Sequence, residues 1–318
     1  MMCAEPVTRR EDQTVRPCPL CSGEGTDESY PFGTRWKGKL FRNLRCGRCG
    51  SSYLNPTPTE AELAELYDRA AYHDGNYPLE AEDTQTSAIQ ALIVHLPEGG
   101  RLLDFGCGNG HFLKLAGSMG FRCEGVEVDS KTCQLAESNS GWRVMTLTEF
   151  LGRTDLRYDV IHLGDVLEHL HNPAAMMHLL QSRLAPSGRF FVEGPLEDNF
   201  SLVNFVSRSF GRLVRALGRD YGWYLPLHLF RANADAQRRF FTNGLGYRVL
   251  AWQQGDDGWP YWDRGDSLFR ARSTGHALKM AIALTSRLVT RTALLTGLNA
   301  GNRFATVVAP PVDAHGHD

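Results

Sequence analysis

The sequence predicts an α/β protein, a doubly wound and mostly parallel sheet behind a small cysteine-stapled module, and three observations carry that prediction. From Arg101 onward short apolar segments alternate with helical stretches, as in parallel strands covered on both faces. A glycine-rich turn, Gly106-Cys107-Gly108-Asn109-Gly110, joins the first of those strands to a helix. Upstream, Cys18-x-x-Cys21 and Cys46-x-x-Cys49 lie in a stretch without helical periodicity that needs something other than an apolar core to fold.

The composition fits that plan. A chain of 318 residues, 42% hydrophobic, accommodates one substantial α/β domain and a smaller module. A net charge of −2 excludes global steering onto nucleic acid and favours a small or tethered substrate. The opening residues MMCAEPVTRRED lack the apolar run of a secretory signal, which predicts a cytoplasmic address. Of eight cysteines four form the two CxxC pairs and the rest are scattered, a pattern of reduced thiols and a metal rather than of disulfides.

Residues 1–56 read as a tail and a zinc ribbon. Two tight knuckles place the thiolates of Cys18, Cys21, Cys46 and Cys49 around one structural zinc, with Gly47 and Gly50 letting backbone amides approach the sulfurs. Thr57-Pro58-Thr59-Glu60 predicts a helix with Thr57 as its cap, Pro58 in its first turn and an end near Tyr67. Residues 57–97 then form a helical linker or lid, in which Tyr67, Tyr72 and Tyr77 are candidates to close over a ligand or to pack.

Residues 98–318 make the main domain. Its predicted strands are 101–105, 122–128, 158–163, 188–193 and 303–309, with helices near 111–119, 130–138 and 173–184. Two basic amphipathic stretches, 203–219 and 276–297, set apolar residues such as Val203, Phe210, Leu213 and Leu217 opposite Arg208, Arg212, Arg215 and Arg219. They are expected to dock through their apolar stripes and to form one basic face beside the active-site mouth. Peripheral contact with an anionic membrane, at its inner surface, is the other use of such helices. The charge-free run 280–286 is too short to cross a bilayer.

Spacing sharpens the glycine loop. The glycines fall as GxGxG rather than as the GxGxxG that holds a pyrophosphate, and Asp104 just before them suits a cationic ligand. With the acid-ended strand Gly125-Val126-Glu127 that follows, the block resembles motif I of class I S-adenosylmethionine-dependent methyltransferases. Residues 158–170 resemble that family's fourth strand and following turn, and 188–193 its fifth strand. The resemblance implies a Rossmann-like fold and S-adenosylmethionine as cofactor, held by Asp104, Gly106, Gly108, Gly110, Glu127 on the ribose hydroxyls, and Asp165. Asp129 falls outside the pattern.

The four-cysteine module followed by Tyr53-Leu54-Asn55-Pro56 resembles that of bacterial methyltransferases of sugar or glycan modification. The chain is too short for the extra C-terminal domain of the sugar C-methyltransferases, so the acceptor stays open among sugar, glycan, lipid-linked and other small molecules. For proton removal the catalytic candidates are His228 and His169. His228 is preferred because it lies after the fifth strand, where this fold builds its acceptor pocket, whereas His169 sits nearer the cofactor turn. Glu168 bonds backbone amides or serves as a base. His162 packs within its strand, and His171, His178, His315 and His317 are read as exposed.

Two alternatives remain at this stage. One is an RNA methyltransferase using the ribbon as a clamp, on the modest cluster Arg35, Lys37, Lys39, Arg42, Arg45 and Arg48; nucleic acid is the disfavoured partner, since no dense basic-aromatic run is present. The other is a non-catalytic binding or scaffold protein that retains the fold, against which the intact glycine loop and Glu127 argue.

Overall fold

The computed structural model describes residues 15–28, 34–67, 92–217, 228–256 and 276–311. Tyr72, Tyr77, Arg219, His315 and His317 lie outside the described residues, as does most of the 57–97 linker.

The N-terminal module is an antiparallel sheet. β1 (Gly25–Glu28), β2 (Thr34–Trp36) and β4 (Ser52–Asn55) each pair with β3 (Lys39–Cys46). Helix α1 (Glu60–Tyr67) follows, capped two residues later than expected. The Glu62 amide donates to Thr59 Oγ1 (3.2 Å) and the Thr59 amide to Glu62 Oε2 (2.7 Å), a reciprocal capping box that places Thr57 and Pro58 ahead of the helix.

The main sheet begins with β5 (Arg101–Phe105), α2 (His111–Ser118), β6 (Arg122–Glu127) and α3 (Ser130–Ser140). It continues through β7 (Val144–Thr146), α4 (Leu147–Gly152), β8 (Tyr158–Gly164), α5 (Pro173–Gln181) and β9 (Leu184–Pro195). After α6 (Leu202–Ala216) come β10 (Phe230–Arg231), α7 (Ala234–Arg239), β11 (Arg248–Gly255), α8 (His276–Leu295) and β12 (Arg303–Ala309). The seven strands lie in the order β11-β12-β9-β8-β5-β6-β7. Neighbours from β7 to β9 are parallel, and β12 runs antiparallel between β9 and β11. The Rossmann-like α/β class is thus as expected, while β7, α4, α7 and the edge strand β11 were not foreseen.

Alternation along the strands builds both faces. Leu102, Val160 and Phe191 point into one buried cluster; Leu103, Ile161 and Phe190 point into the other. Chain order reverses between β5 and β8, so the carboxyl ends of these strands open the crevice where doubly wound sheets bind ligands.

Two expectations are corrected by packing. His171 is half-buried, with Nε2 2.6 Å from the Pro58 carbonyl, rather than exposed. The two amphipathic helices pack on each other, yet Phe210 and Leu213 of α6, and Leu217 just past its end, face solvent instead of docking. The side of α6 that faces the protein carries the buried Val203 and Gly211, and α8 meets it there through the Ser286 hydroxyl, 3.3 Å from the Val203 amide.

Candidate active site and metal centre

The cofactor edge is made by backbone conformation. Gly106, Gly108 and Gly110 all have left-handed φ, of 79°, 52° and 81°. A Cβ at Gly106 would stand 2.6 Å from Val166 Cγ2, and one at Gly110 2.7 Å from the Ala136 carbonyl, so the loop closes tightly only with glycine there. The amides of Gly106 and Cys107 both donate to the Val126 carbonyl (2.8 and 3.1 Å), pinning the loop to the end of β6. Glu127 at that end is half-buried, its Oε2 accepting from the Gly108 amide (3.0 Å) and its Oε1 from the Val128 amide (2.7 Å). Asp129 caps α3 through the Thr132 amide (2.8 Å), which accounts for an acid outside the motif.

Behind the loop lies a buried charge cluster. Asp104 Oδ1 is 2.7 Å from His162 Nδ1, and Glu193 Oε1 is 3.4 Å from His162 Nε2. Phe112 stacks on the imidazole at 3.6 Å. Burial works to lower the pKa of His162, but the two carboxylates outweigh it and hold it up at about 9. His162 therefore does more than pack: it bridges buried acids on the two neighbouring strands, one of them the motif acid. Asp165, with φ 54°, sits in the turn after β8 and forms a two-pronged pair with Arg303 (2.9 and 3.1 Å).

The edge expected to face the acceptor gathers distant residues. The rings of His169 and His228 meet edge to face, 4.8 Å between centroids. His228 Nδ1 lies 3.1 Å from Glu197 Oε2, which also accepts from Arg231 (3.2 Å). Burial opposes charge on both partners. Even so, His228 and Arg231 hold Glu197 down at about 2, and Glu197 lifts His228 above the ordinary histidine value. Glu168 is buried, its Oε1 without a hydrogen bond but 3.9 Å from His169 Nε2, and burial followed by the charge of Asp165 raises it to about 7. Ligand atoms of Glu168, His169 and His228 lie within 4.8 Å of one another.

The model of the methyltransferase domain family matches residues 81–273, more than half of the chain. The chain belongs to the methyltransferase domain family. Among curated proteins it is similar to the ubiquinone biosynthesis O-methyltransferase of Aeromonas salmonicida, 27% identical over 130 residues, 39% of this chain and 50% of that protein. The namesake from Albidiferax ferrireducens is 26% identical over 185 residues, 54% of this chain and 68% of that one. The match spans about half the length of the first of these relatives. An S-adenosylmethionine dependent methyltransferase from Mesorhizobium loti is a solved structure similar to it, 14% identical with TM-score 0.42, covering 70% of this chain and 98% of that one.

In this class I S-adenosylmethionine-dependent methyltransferase domain the predicted cofactor residues Gly106, Gly108, Gly110 and Glu127 converge at one strand edge. Asp104 and Asp165 flank it, bound to His162 and Arg303. Glu197, Arg231 and Arg303 were missed by sequence reasoning. The signal was weak, because a charged residue near a strand end is usually solvated.

The cysteine module passes a geometric test for zinc. Cys18 and Cys49 sulfurs are 3.7 Å apart and those of Cys21 and Cys46 3.5 Å. Tetrahedral zinc with Zn–S near 2.3 Å sets sulfurs roughly 3.8 Å apart, whereas a disulfide needs about 2.05 Å. A Cβ on Gly23 would stand 2.9 Å from Cys46 Sγ, so that knuckle too needs glycine. The hydrogen bond between Cys18 and Cys49 pulls Cys49 down to about 5 and pushes Cys18 up, and burial raises Cys18 further.

The methyltransferase domain is joined to this module through the segment holding His228. β10 pairs with β4, the Leu54 amide donates to the Leu229 carbonyl (3.0 Å) and the Leu229 amide to the Glu168 carbonyl (2.7 Å). Asp198 Oδ2 accepts from the Ser52 amide (2.6 Å), and Asn233 Nδ2 donates to the Cys49 carbonyl (3.0 Å).

Proposed function

We propose that this protein transfers a methyl group from S-adenosylmethionine to an oxygen of a small-molecule acceptor, with a lipid-linked or glycan hydroxyl as the favoured type. The observation that carries the reading is the meeting of His169 and His228 beside the crevice, with Glu197 behind His228. The relatives named as ubiquinone biosynthesis O-methyltransferases support oxygen over nitrogen or carbon. S-adenosylmethionine, when bound, supplies an electrophilic sulfonium methyl.

The glycine loop and Glu127 would hold the cofactor's nucleoside, the carboxylate accepting from the ribose hydroxyls. Glu197 fixes His228 by its Nδ1, which leaves Nε2 to take the proton of a hydroxyl as it attacks. Glu168, buried with no hydrogen bond to Oε1 and with His169 Nε2 3.9 Å away, provides a second acceptor of that proton or an anchor for the acceptor's own hydroxyl. Cys18, Cys21, Cys46 and Cys49 would hold one zinc whose role is structural, because four thiolates close the coordination shell. Elemental analysis should find one zinc per chain; less than half an equivalent in metal-replete protein contradicts this.

A second reading rests on the Glu168 oxygen that makes no hydrogen bond and on the spacing of its neighbours: Glu168, His169 and His228 could together hold a divalent cation. A mass shift of about 14 Da across a panel of hydroxyl acceptors, with and without chelator, tests both. Methylation indifferent to chelator supports the base, and no methylation of any hydroxyl removes the oxygen assignment.

A further inference from the structure

Helices α6 and α8 are packed inside out. Where α8 faces the protein it buries hydroxyls, Ser286 at 0% and Thr290 at 2% exposure, with Ser286 bonded to Asp256 and accepting from the Val203 amide of α6 (3.3 Å). Three of its leucines point outward, Leu284, Leu288 and Leu295 being 58%, 66% and 83% exposed. On α6, Phe205 and Leu213 are likewise 57% and 56% exposed, and Leu217 just past its end is 69% exposed. A water-facing helix with this residue set would lower its free energy by rolling its leucines inward. Here Ser286 and Thr290 hold the other face of α8 against the protein. So large a set of exposed apolar side chains marks a surface made to be covered.

The charges say by what. Neither helix contains an acid, while α6 carries Arg208, Arg212 and Arg215 and α8 carries Lys279, Arg287 and Arg291. Arg208 is committed to Asp198 and the Glu197 carbonyl. Arg212, Arg287 and Arg291 are exposed, and on α8 the two arginines stand one residue before Leu288 and four before Leu295. We infer that α6 and α8 form a docking surface for an anionic lipid bilayer, the leucines and phenylalanine entering the interface and the arginines meeting phosphate headgroups. A second copy of the chain fits less well, because two such surfaces would bring cations against cations. No described helix is long and apolar enough to cross a membrane, so the contact lies along the surface.

Arg208 also connects this surface to the site, since it reaches the Glu197 backbone next to the His228 contact. The docking surface stands on the helices alone. Its consequence, that a lipid-linked acceptor reaches His228 from the bilayer, rests on the reading proposed above.

The test is co-sedimentation of the full chain with phosphatidylglycerol vesicles and with phosphatidylcholine vesicles, at about 0.1 M and at higher salt. Binding should be at least tenfold stronger to phosphatidylglycerol and should weaken with salt. Arg287→Gln with Arg291→Gln should cost about fivefold per charge. Leu213→Asp with Leu288→Asp should abolish binding while circular dichroism and titration with S-adenosylhomocysteine stay unchanged. Equal or absent binding to both vesicles overturns the inference, as does a dimer in light scattering that Leu288→Asp dissolves while vesicles capture nothing. Loss of cofactor binding in the wild type, with vesicle binding intact, would strike the methyl-transfer reading and spare the surface.

Discussion

Along the glycine loop, the contacts that shape the cofactor edge run between residues 106 and 139, from the Gly106 amide on Val126 to the Asn139 side chain on the Asn109 carbonyl. At the acceptor edge the contacts join Glu168, Glu197, His228 and Arg231, which come from a turn, a strand end, and a segment held on its far side by the cysteine module. One edge is written in contiguous backbone. The other is assembled from side chains that only the fold brings together. Loss of a single residue should therefore act through binding at the first edge and through proton transfer at the second.

The sharpest way to break the first edge is Gly108→Val. At φ 52° a β-branched residue is strained, and the amide that meets Glu127 would shift. Binding of S-adenosylhomocysteine should disappear while far-ultraviolet circular dichroism is retained; a normal titration curve would remove the loop from the cofactor site. For the second edge, His228→Ala should lower turnover roughly 10²–10⁴-fold, the range for loss of a general base. His169→Ala should disturb binding along with rate. Near-normal turnover of His228→Ala on the true acceptor would place the base elsewhere.

The join between the module and His228 sharpens the comparison further. Replacing Cys49 with Ser, or chelating the zinc proposed for the four cysteines, should loosen β4 against β10 and lower turnover by about 10²-fold, as misplacement near an ångström does. Cofactor affinity should hold. If affinity falls in step with turnover, the two edges are not separable.

The smallest effect concerns His162, which underlies both edges. Its folded pKa, about 9, is raised above the ordinary 6.5, so its contribution to stability is complete below pH 6.5 and is lost as pH rises through about 9. Melting temperature should decline over that window by a few degrees, and His162→Gln should flatten the decline. A wild-type melting temperature that is level from pH 6.5 to 9 contradicts a charged His162.

These contrasts explain what could be read in the sequence. The strand–loop–strand block from Leu102 to Glu127 was legible because its period, glycines and terminal acid are local, and β5, β6, β8 and β12 fall close to their expected spans. β11 was hidden, since only an edge position next to β12 makes its mixture of Val249, Trp252 and Gln254 a strand. The two histidines could be named but not their partners: Glu197 stands 31 residues from His228, and no spacing rule connects them. The amphipathic helices were legible as helices and misread as to facing, because burial of Ser286 against Asp256 is a tertiary event that overrides the apolar stripe.

The division between the two edges is tested most directly by titrating S-adenosylhomocysteine, under identical conditions, into Glu127→Ala and His228→Ala. The account expects Glu127→Ala to weaken binding by about 1–3 kcal/mol, the cost of leaving ribose hydroxyls unpaired, and His228→Ala to bind as the wild type does. Equal weakening in both variants, or weakening in His228→Ala alone, would contradict it.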